Sequence, residues 1–140
     1  MTGPSDKKFP VARSPEEWHA LLTREQFQVL REHGTEPAGA SPLNREHREG
    51  LFVCAGCGAE LFASEAKYDS GSGWPSFSGA LAEAVGSGID NSHSMTRTEI
   101  YCRRCGGHLG HVFEDGPQPT GLRFCTNGAA LRFLANNEDS

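Results

Sequence analysis

The stretch TRTEIYCRRCGGHLGHVFEDGPQPTGLRFCTNGAALRF, residues 96–133, decides the fold class. Its β-branched, aromatic and leucine residues fall into short runs separated by Gly, Pro, Asp or Asn. These runs lie at residues 96–101, 110–113, 122–126 and 131–133. No helix-length apolar pattern lies between them, which argues against a parallel βαβ sheet. The stretch therefore predicts a mainly β domain with antiparallel strands.

Nearer the N-terminus the apolar spacing becomes helical. Two capping boxes, one starting at Ser14 and the other at Thr23, precede apolar residues spaced three or four apart. Gly34 ends the second helical segment, and the proline- and glycine-containing stretch after it is a connecting loop. The predicted helices span about 14–21 and 23–33.

Length and charge bound the organisation of the chain and its partners. A chain of 140 residues corresponds to about one domain. Its formal net charge is −5 and it has no run of five or six Lys or Arg, so we expect neither nucleic acid nor a membrane surface as partner. The predicted organisation is a single domain, 14–135, made of a helical arm (14–33) and a β core (51–134), between flexible ends at 1–13 and 136–140.

The N-terminal residues and the overall hydropathy indicate the compartment. Residues 1–10 are polar and lack the apolar segment of a secretory signal, and no stretch reaches the ~18 apolar residues of a membrane span. We therefore expect a cytoplasmic protein. Since the cytosol keeps thiols reduced, the five cysteines of the chain should be metal ligands or reactive thiols.

Two C-x-x-C pairs predict a structural zinc site. Cys54 and Cys57 form the first pair, Cys102 and Cys105 form the second, and glycines beside each pair permit a tight turn. The alternatives are two disulfides, which the expected compartment disfavours, and a redox C-x-x-C, whose βαβ context is missing. We expect four thiolates around one Zn²⁺, with no open coordination position.

Cys125 is the remaining cysteine, and its neighbours are polar. In the run RFCTN, strand alternation puts Arg123, Cys125 and Asn127 on one face. A guanidinium two residues away stabilises the thiolate, which is the form that attacks electrophiles. The alternative is a small buried cysteine that packs as an apolar residue.

The segment HLGHVFED, residues 108–115, adds acid–base groups near this cysteine in the sequence. If residues 110–113 form a strand, His111 and Phe113 share a face, with a proton donor beside an apolar wall. Asp115 could then orient an imidazole or Arg123. Each histidine taken singly could equally be structural, and the sequence patterns of catalytic zinc sites are absent.

A glycine-rich loop, DSGSGWPSF at residues 69–77, carries Trp74 directly before a proline. Such a tryptophan either packs in the core or forms the lip of an apolar pocket, and the residues alone leave both interpretations open.

Four segments, in order and at compatible spacing, resemble the methionine sulfoxide reductase B family of peptide-methionine (R)-S-oxide reductases. They are LTREQFQVLREHGTE, CAGCGAELF, KYDSGSGWPSF and the stretch that begins at RTEIYC, and the resemblance covers about residues 23–133. It implies two antiparallel sheets that form a rolled, barrel-like core behind short N-terminal helices, together with a structural zinc. The implied activity is reduction of the R epimer of methionine sulfoxide in proteins, with thioredoxin as the usual reductant.

The resemblance also implies a role for each matching residue. The implied catalytic residues are Cys125 as nucleophile, His111 as acid, His108 as its neighbour and Asn127 as the polar residue that positions the site. The implied substrate-binding residues are Trp74, which holds the substrate methyl group, Phe113, and the outer charged pair Arg123 and Asp115. The products would be methionine and a Cys125 sulfenic acid, which another thiol can reduce.

One departure from the relatives concerns the return of Cys125 to its reduced form. Many relatives carry a recycling cysteine in the glycine-rich loop, where this chain has Ser72. Since serine cannot form a disulfide, we expect an external thiol, thioredoxin or another small thiol reductant such as glutathione or glutaredoxin, to act on Cys125 directly. The alternative is recruitment of a cysteine from the zinc site. We also expect a monomer.

Two other classes of function fit part of the pattern. A non-enzymatic zinc module would leave Cys125 merely buried, and alkylation of native protein would distinguish it. A hydrolytic or deaminating zinc enzyme would need an open metal position.

Overall fold

The computed structural model describes residues 9–91 and 95–135. The predicted flexible end at 136–140, and residues 1–8 of the one at 1–13, lie outside this range. Residues 9–13 lie against the second cysteine turn. Val11 N donates to Arg104 O at 2.8 Å, and the Phe9 ring packs edge-on against Tyr101.

The two helices begin where the capping boxes predict. Helix α1 spans Pro15–Leu21 and helix α2 spans Arg24–Glu32. In both, the N-cap side chain accepts from the backbone N–H three residues on, and the side chain of that residue accepts from the N-cap N–H. The apolar faces bury Trp18, Phe27 and Leu30, and the two predicted short helices are confirmed.

The rest of the described chain is mainly β-structure in two antiparallel sheets. The strands are β1 (Gly50–Cys54), β2 (Glu60–Ala63), β3 (Lys67–Tyr68), β4 (Ser76–Phe77), β5 (Val85–Asp90), β6 (Arg97–Cys102), β7 (His108–Phe113), β8 (Arg123–Thr126) and β9 (Leu131–Ala135). The smaller sheet has the order β2-β1-β9 and the larger β3-β4-β8-β7-β6-β5. The predicted pair of antiparallel sheets is confirmed; within the described residues both sheets are open, and neither closes into a barrel.

An aromatic cluster joins the two sheets. Phe52 of β1, Phe62 of β2 and Phe77 of β4 are fully buried, and the rings of Phe62 and Phe77 stack with centroids 4.2 Å apart. Phe124 of β8 packs against the same cluster. Burial of each such ring contributes about 1.5–3 kcal/mol. Because neighbouring residues of a strand face opposite ways, Phe124 in this core turns Cys125 toward the other face of the sheet.

No helix in the described residues is long and apolar enough to cross a membrane.

Candidate active site

The register of β7 and β8 brings an imidazole and a thiol together. His111 lies directly opposite Cys125, and Phe113 directly opposite Arg123. Side chains at opposed positions of an antiparallel pair have Cβ atoms about 4.5–5.5 Å apart and lie on the same face. The predicted pairing of His111 with Phe113 on one face, beside Cys125, is therefore present.

These residues line a cavity of about 270 Å³. Its other walls come from the glycine-rich loop, from β6 and from the segment that follows α2. The lining side chains include Thr35, Ser72, Trp74, Arg97, His111, Phe113, Arg123, Cys125 and Asn127. The volume is slightly below the ~300–1,000 Å³ of pockets that hold drug-sized ligands, so it suits a single side chain.

Burial determines the protonation state of Cys125. It raises the pKa of the thiol above its usual value, while Arg123 and a hydrogen bond from Ser72 act in the opposite direction. Arg123 is itself paired with Asp115, since Arg123 Nε and Nη2 donate to the two carboxylate oxygens at 2.8 and 3.1 Å, and the Asp115 charge adds a smaller upward effect on the pKa of Cys125. Arg123 thus acts in the expected direction, but burial outweighs it, so the pKa of Cys125 is raised and Cys125 is a thiol at neutral pH in the ligand-free site.

Asp90, at the end of β5, fixes the ring of His111. His111 Nε2 donates to Asp90 Oδ2 at 2.7 Å, which leaves Nδ1 of the neutral ring without a hydrogen and able to accept a proton. Burial lowers the pKa of His111, and the Asp90 carboxylate only partly offsets this. Arg97 also lines the cavity, and its buried Nε has no hydrogen-bond partner among the described residues.

Glu36 fastens three parts of the site to one another. Its carboxylate oxygens accept from the backbone N–H groups of Gly128 and Ala129 at 2.7 and 2.9 Å, directly after β8. Its backbone carbonyl accepts from Trp74 Nε1 at 2.9 Å, and its backbone N–H donates to Asn127 Oδ1 at 3.0 Å. Trp74 and Asn127 are thus held at fixed positions by the same residue.

Three serine hydroxyls within the glycine-rich loop are linked by hydrogen bonds. Ser70 Oγ donates to Ser72 Oγ at 2.9 Å and lies 2.7 Å from Ser76 Oγ. Ser76 pairs with Cys125 across β4 and β8. Ser72 also hydrogen-bonds Cys125, so the hydroxyl at position 72 lies beside the Cys125 sulfur.

His108 lies behind the cavity, not in its lining. It is 2% exposed, and its Nδ1 hydrogen-bonds Glu99 Oε2 at 2.8 Å. Its ring packs edge-on against His111, with centroids 5.5 Å apart. Burial opposes ionisation of Glu99, but the hydrogen bonds from His108 and His33 outweigh it and lower its pKa to about 2.

The structure thus brings most of the predicted site residues to one cavity. Those in its lining are Cys125, His111, Asn127, Trp74, Phe113 and Arg123. Asp115 is exposed outside the cavity, where it holds Arg123, whose guanidinium carbon lies 4.4 Å from the centroid of the Phe113 ring. Both polar atoms of the Asn127 side-chain amide are hydrogen-bonded to backbone. Oδ1 accepts from Glu36 N and Nδ2 donates to Leu109 O, so the fold fixes the position of Asn127.

Sequence reasoning missed Glu36, Asp90, Glu99 and Arg97. For Arg97 and Glu99 a signal existed, because alternation in the predicted strand RTEIY places them on one face. Glu36 had no local signal, since its partners lie more than 90 positions away.

The four remaining cysteines form one compact cluster. Cys54 and Cys105 sulfurs are 3.7 Å apart, those of Cys57 and Cys102 are 3.6 Å apart, and all four lie within 4.8 Å of one another. Four thiolates around a tetrahedral metal at ~2.3 Å would be about 3.8 Å apart. Each pair sits in a turn with a glycine at positive φ, Gly58 at 80° and Gly106 at 79°. The donor set and spacing fit a tetrahedral thiolate-binding metal such as zinc.

Comparison with known proteins places the chain in a family. A family model described as the SelR domain matches residues 22–135. The chain is 53% identical over 126 residues to the peptide methionine sulfoxide reductase MsrB of Leptospira interrogans, covering 89% of this chain and 96% of the relative. It is 55% identical over 118 residues to the protein of the same name from Thiobacillus denitrificans (84% and 89%), and 48% identical over 129 residues to that of Methanosarcina mazei (91% and 92%). The predicted resemblance is thereby confirmed: the chain belongs to the SelR-domain family of MsrB proteins.

Proposed function

We propose that this chain reduces methionine (R)-sulfoxide in proteins to methionine, with Cys125 as the nucleophile and His111 as the acid–base group. The observation that carries this proposal is the Cys125–His111 pair. The two residues are cross-strand neighbours on β7 and β8, and both line a cavity large enough for one side chain. The names of the relatives support the choice of substrate.

The Cys125 thiol supplies the proton that the reaction needs. A sulfoxide sulfur becomes electrophilic when its oxygen is protonated, so a nucleophile and an acid must act together. In the ligand-free site Cys125 is a thiol and His111 is neutral, as the directions of their pKa shifts require. His111 therefore accepts the thiol proton and passes it to the substrate oxygen.

The first half-reaction then balances without any external acid. The Cys125 sulfur attacks the sulfoxide sulfur, the sulfur–oxygen bond of the substrate breaks, and the oxygen is transferred to Cys125. The substrate sulfur gains two electrons and leaves as a thioether, while Cys125 becomes a sulfenic acid that carries the original thiol proton.

The aromatic walls select the substrate. Trp74 and Phe113 provide apolar surfaces for the methyl group and the side-chain methylenes, while Arg97 puts a positive charge in the cavity wall for the sulfoxide oxygen. His108 acts as a positioning residue: it touches the His111 ring from behind and is fixed by Glu99.

Reduction of the sulfenic acid needs two thiols from outside the site. Four of the five cysteines lie in their own cluster, and position 72 is serine. One external thiol forms a mixed disulfide with Cys125 and releases water, and a second thiol displaces Cys125. Thioredoxin, which carries both thiols, or another small thiol reductant suits this step.

The remaining parts of the proposal concern the metal, the assembly and the compartment. Cys54, Cys57, Cys102 and Cys105 would hold one structural Zn²⁺, which stabilises the fold and takes no part in the chemistry. Metal analysis should give one tightly bound zinc per chain and none in Cys57→Ser. We further propose a monomeric, cytoplasmic protein.

The deciding experiment supplies metal-replete protein with dithiothreitol and a peptide carrying resolved R or S methionine sulfoxide. Chromatography should show methionine from the R epimer only, with no turnover in Cys125→Ser and strongly reduced turnover in His111→Asn. His47→Asn changes an exposed histidine and should match the wild type. Absence of turnover with either epimer would overturn the proposal in favour of a zinc module.

A further inference from the structure

A second group of metal-ligand side chains lies beside the proposed active site. It consists of His33, Glu99 and His108, contributed by the end of α2 and by strands β6 and β7. We propose that these three residues form a second metal site, separate from the cysteine cluster, that takes a divalent transition metal ion of the zinc or nickel class.

The nitrogen and oxygen atoms of this group converge on one point. His33 Nε2 and His108 Nδ1 both approach the same carboxylate oxygen, Glu99 Oε2, at 3.0 and 2.8 Å. Ligand atoms about 2.1 Å from one metal ion lie roughly 3.0–3.4 Å apart at right or tetrahedral angles. Two edges of the site are therefore close to their metal-bound length, and the third, at most 4.8 Å, closes by a small side-chain movement.

The fold fixes two of these ligands firmly. His108 is 2% exposed and Glu99 is largely buried, so neither side chain is a freely rotating surface group. The β6–β7 register is irregular between Ile100 and Tyr101, and the irregularity sets His108 opposite Tyr101, two positions from Glu99. Two of the three ligands are thus already in position before an ion binds, so binding costs little side-chain entropy.

The third ligand provides the entrance. His33 is the C-cap residue of α2, with φ 57°, and its side chain is 67% exposed. An ion can reach the site from solvent at this position, and water can complete its coordination. The negative end of the helix dipole also favours a cation next to the last turn of α2.

The donor set determines which ions fit. Two imidazoles and one carboxylate suit zinc, nickel, cobalt or copper and do not suit magnesium or calcium, which prefer oxygen ligands. Three protein ligands leave coordination positions open, unlike the closed four-thiolate cluster. Binding at this site should therefore be reversible, whereas zinc in the cysteine cluster should be retained.

The experiment uses the full chain with its cysteine cluster loaded with zinc and with the substitution Cys125→Ser, which removes the only thiol outside the cluster. Isothermal titration with Zn²⁺ should reveal one further site per chain. His33→Ala, introduced into this parent, should weaken binding at that site at least tenfold, and Glu99→Gln should weaken it as well. His47→Ala, which removes an exposed histidine elsewhere, should leave the affinity unchanged.

A second measurement locates the ion independently of affinity. Ni²⁺ at substoichiometric amounts should broaden the NMR ring resonances of His33 and His108 before those of His47. The proposal fails if the parent binds no ion beyond the cluster zinc, or if His33→Ala binds Zn²⁺ as tightly as the parent. It also fails if Ni²⁺ broadens the His47 resonances first, since the ion would then bind exposed histidines nonspecifically.

Discussion

Replacement of Glu36 by alanine tests how the site is held together. Glu36 is 5% exposed, and both of its carboxylate oxygens accept hydrogen bonds from backbone N–H groups just after β8. Glu36→Ala removes both acceptors and leaves the N–H groups of Gly128 and Ala129 without partners. In the variant the backbone of residue 36 can still hydrogen-bond Trp74 and Asn127, but its side chain no longer connects this segment to the residues that follow β8.

The magnitude follows from the groups left unpaired. A buried N–H without an acceptor costs about 1–3 kcal/mol, so two such groups cost about 2–6 kcal/mol. Part of this loss is offset, because burial of the Glu36 carboxylate is itself unfavourable, as its raised pKa shows. We expect a net loss of about 2–4 kcal/mol in the free energy of unfolding. Glu36→Gln keeps one acceptor oxygen and should lose about half as much.

The measurement is urea unfolding at pH 7, with Glu49→Ala as the matched control. Glu49 is an exposed glutamate in the loop before β1, and its removal should change stability by less than about 0.5 kcal/mol. Loosening of Trp74 and Asn127 should also lower kcat/KM by about tenfold or more. A Glu36→Ala protein within 0.5 kcal/mol of the wild type would refute this account of the site, and equal loss in Glu36→Gln and Glu36→Ala would refute the role given to the two separate oxygens.

Three further perturbations test the electrostatics and the recycling step. Asp115→Asn frees Arg123 to act on Cys125, so the pKa of Cys125 should fall and its alkylation by iodoacetamide at pH 7.5 should become faster; an unchanged rate would contradict the inferred competition. The pKa of Glu99 is about 2 in the fold against an ordinary 4.5, so its contribution to stability is present above pH 4.5 and is lost as pH falls toward 2. The loss amounts to up to about 3 kcal/mol, and Glu99→Gln should flatten the dependence of unfolding free energy on pH across this window. Ser72→Cys should form a disulfide with Cys125 after one turnover, so titration with a thiol reagent should find two fewer free thiols; retention of both would show that position 72 does not reach the sulfenic acid.

The parts of the fold that could be predicted from sequence are those set by neighbouring residues. The capping boxes at Ser14 and Thr23 act within one turn, and both helices start where they predict. The alternation in RFCTN correctly separates Phe124, in the core, from Cys125, in the cavity. Strand β5, with the sequence VGSGID, has no such signal, because glycine, serine and aspartate have low β propensity. It is a strand because it pairs with β6 along six residues, where the Tyr101 ring lies over Gly86.

The electrostatics of the site depended on contacts that are distant in sequence. The missed strand carries Asp90, so the partner of His111 was missed with it. Arg123 does favour the Cys125 thiolate, as their spacing suggests, but the spacing reveals neither the depth of burial, which outweighs this effect, nor the hydrogen bonds between the guanidinium and Asp115. Both are properties of the assembled sheet, and neither leaves a trace within a short window of sequence.

The neutrality of the Cys125–His111 pair bears on how selective the site is. Thiolates are the form that oxidants and alkylating agents attack, so a preformed thiolate–imidazolium pair would expose Cys125 to unproductive oxidation. Here burial raises the pKa of Cys125 and lowers that of His111, and both shifts favour the uncharged pair. In the proposed reaction the thiol proton is transferred only when a sulfoxide oxygen is present to receive it. Burial therefore links the reactivity of the thiol to occupation of the cavity by the substrate, which also brings the proton acceptor.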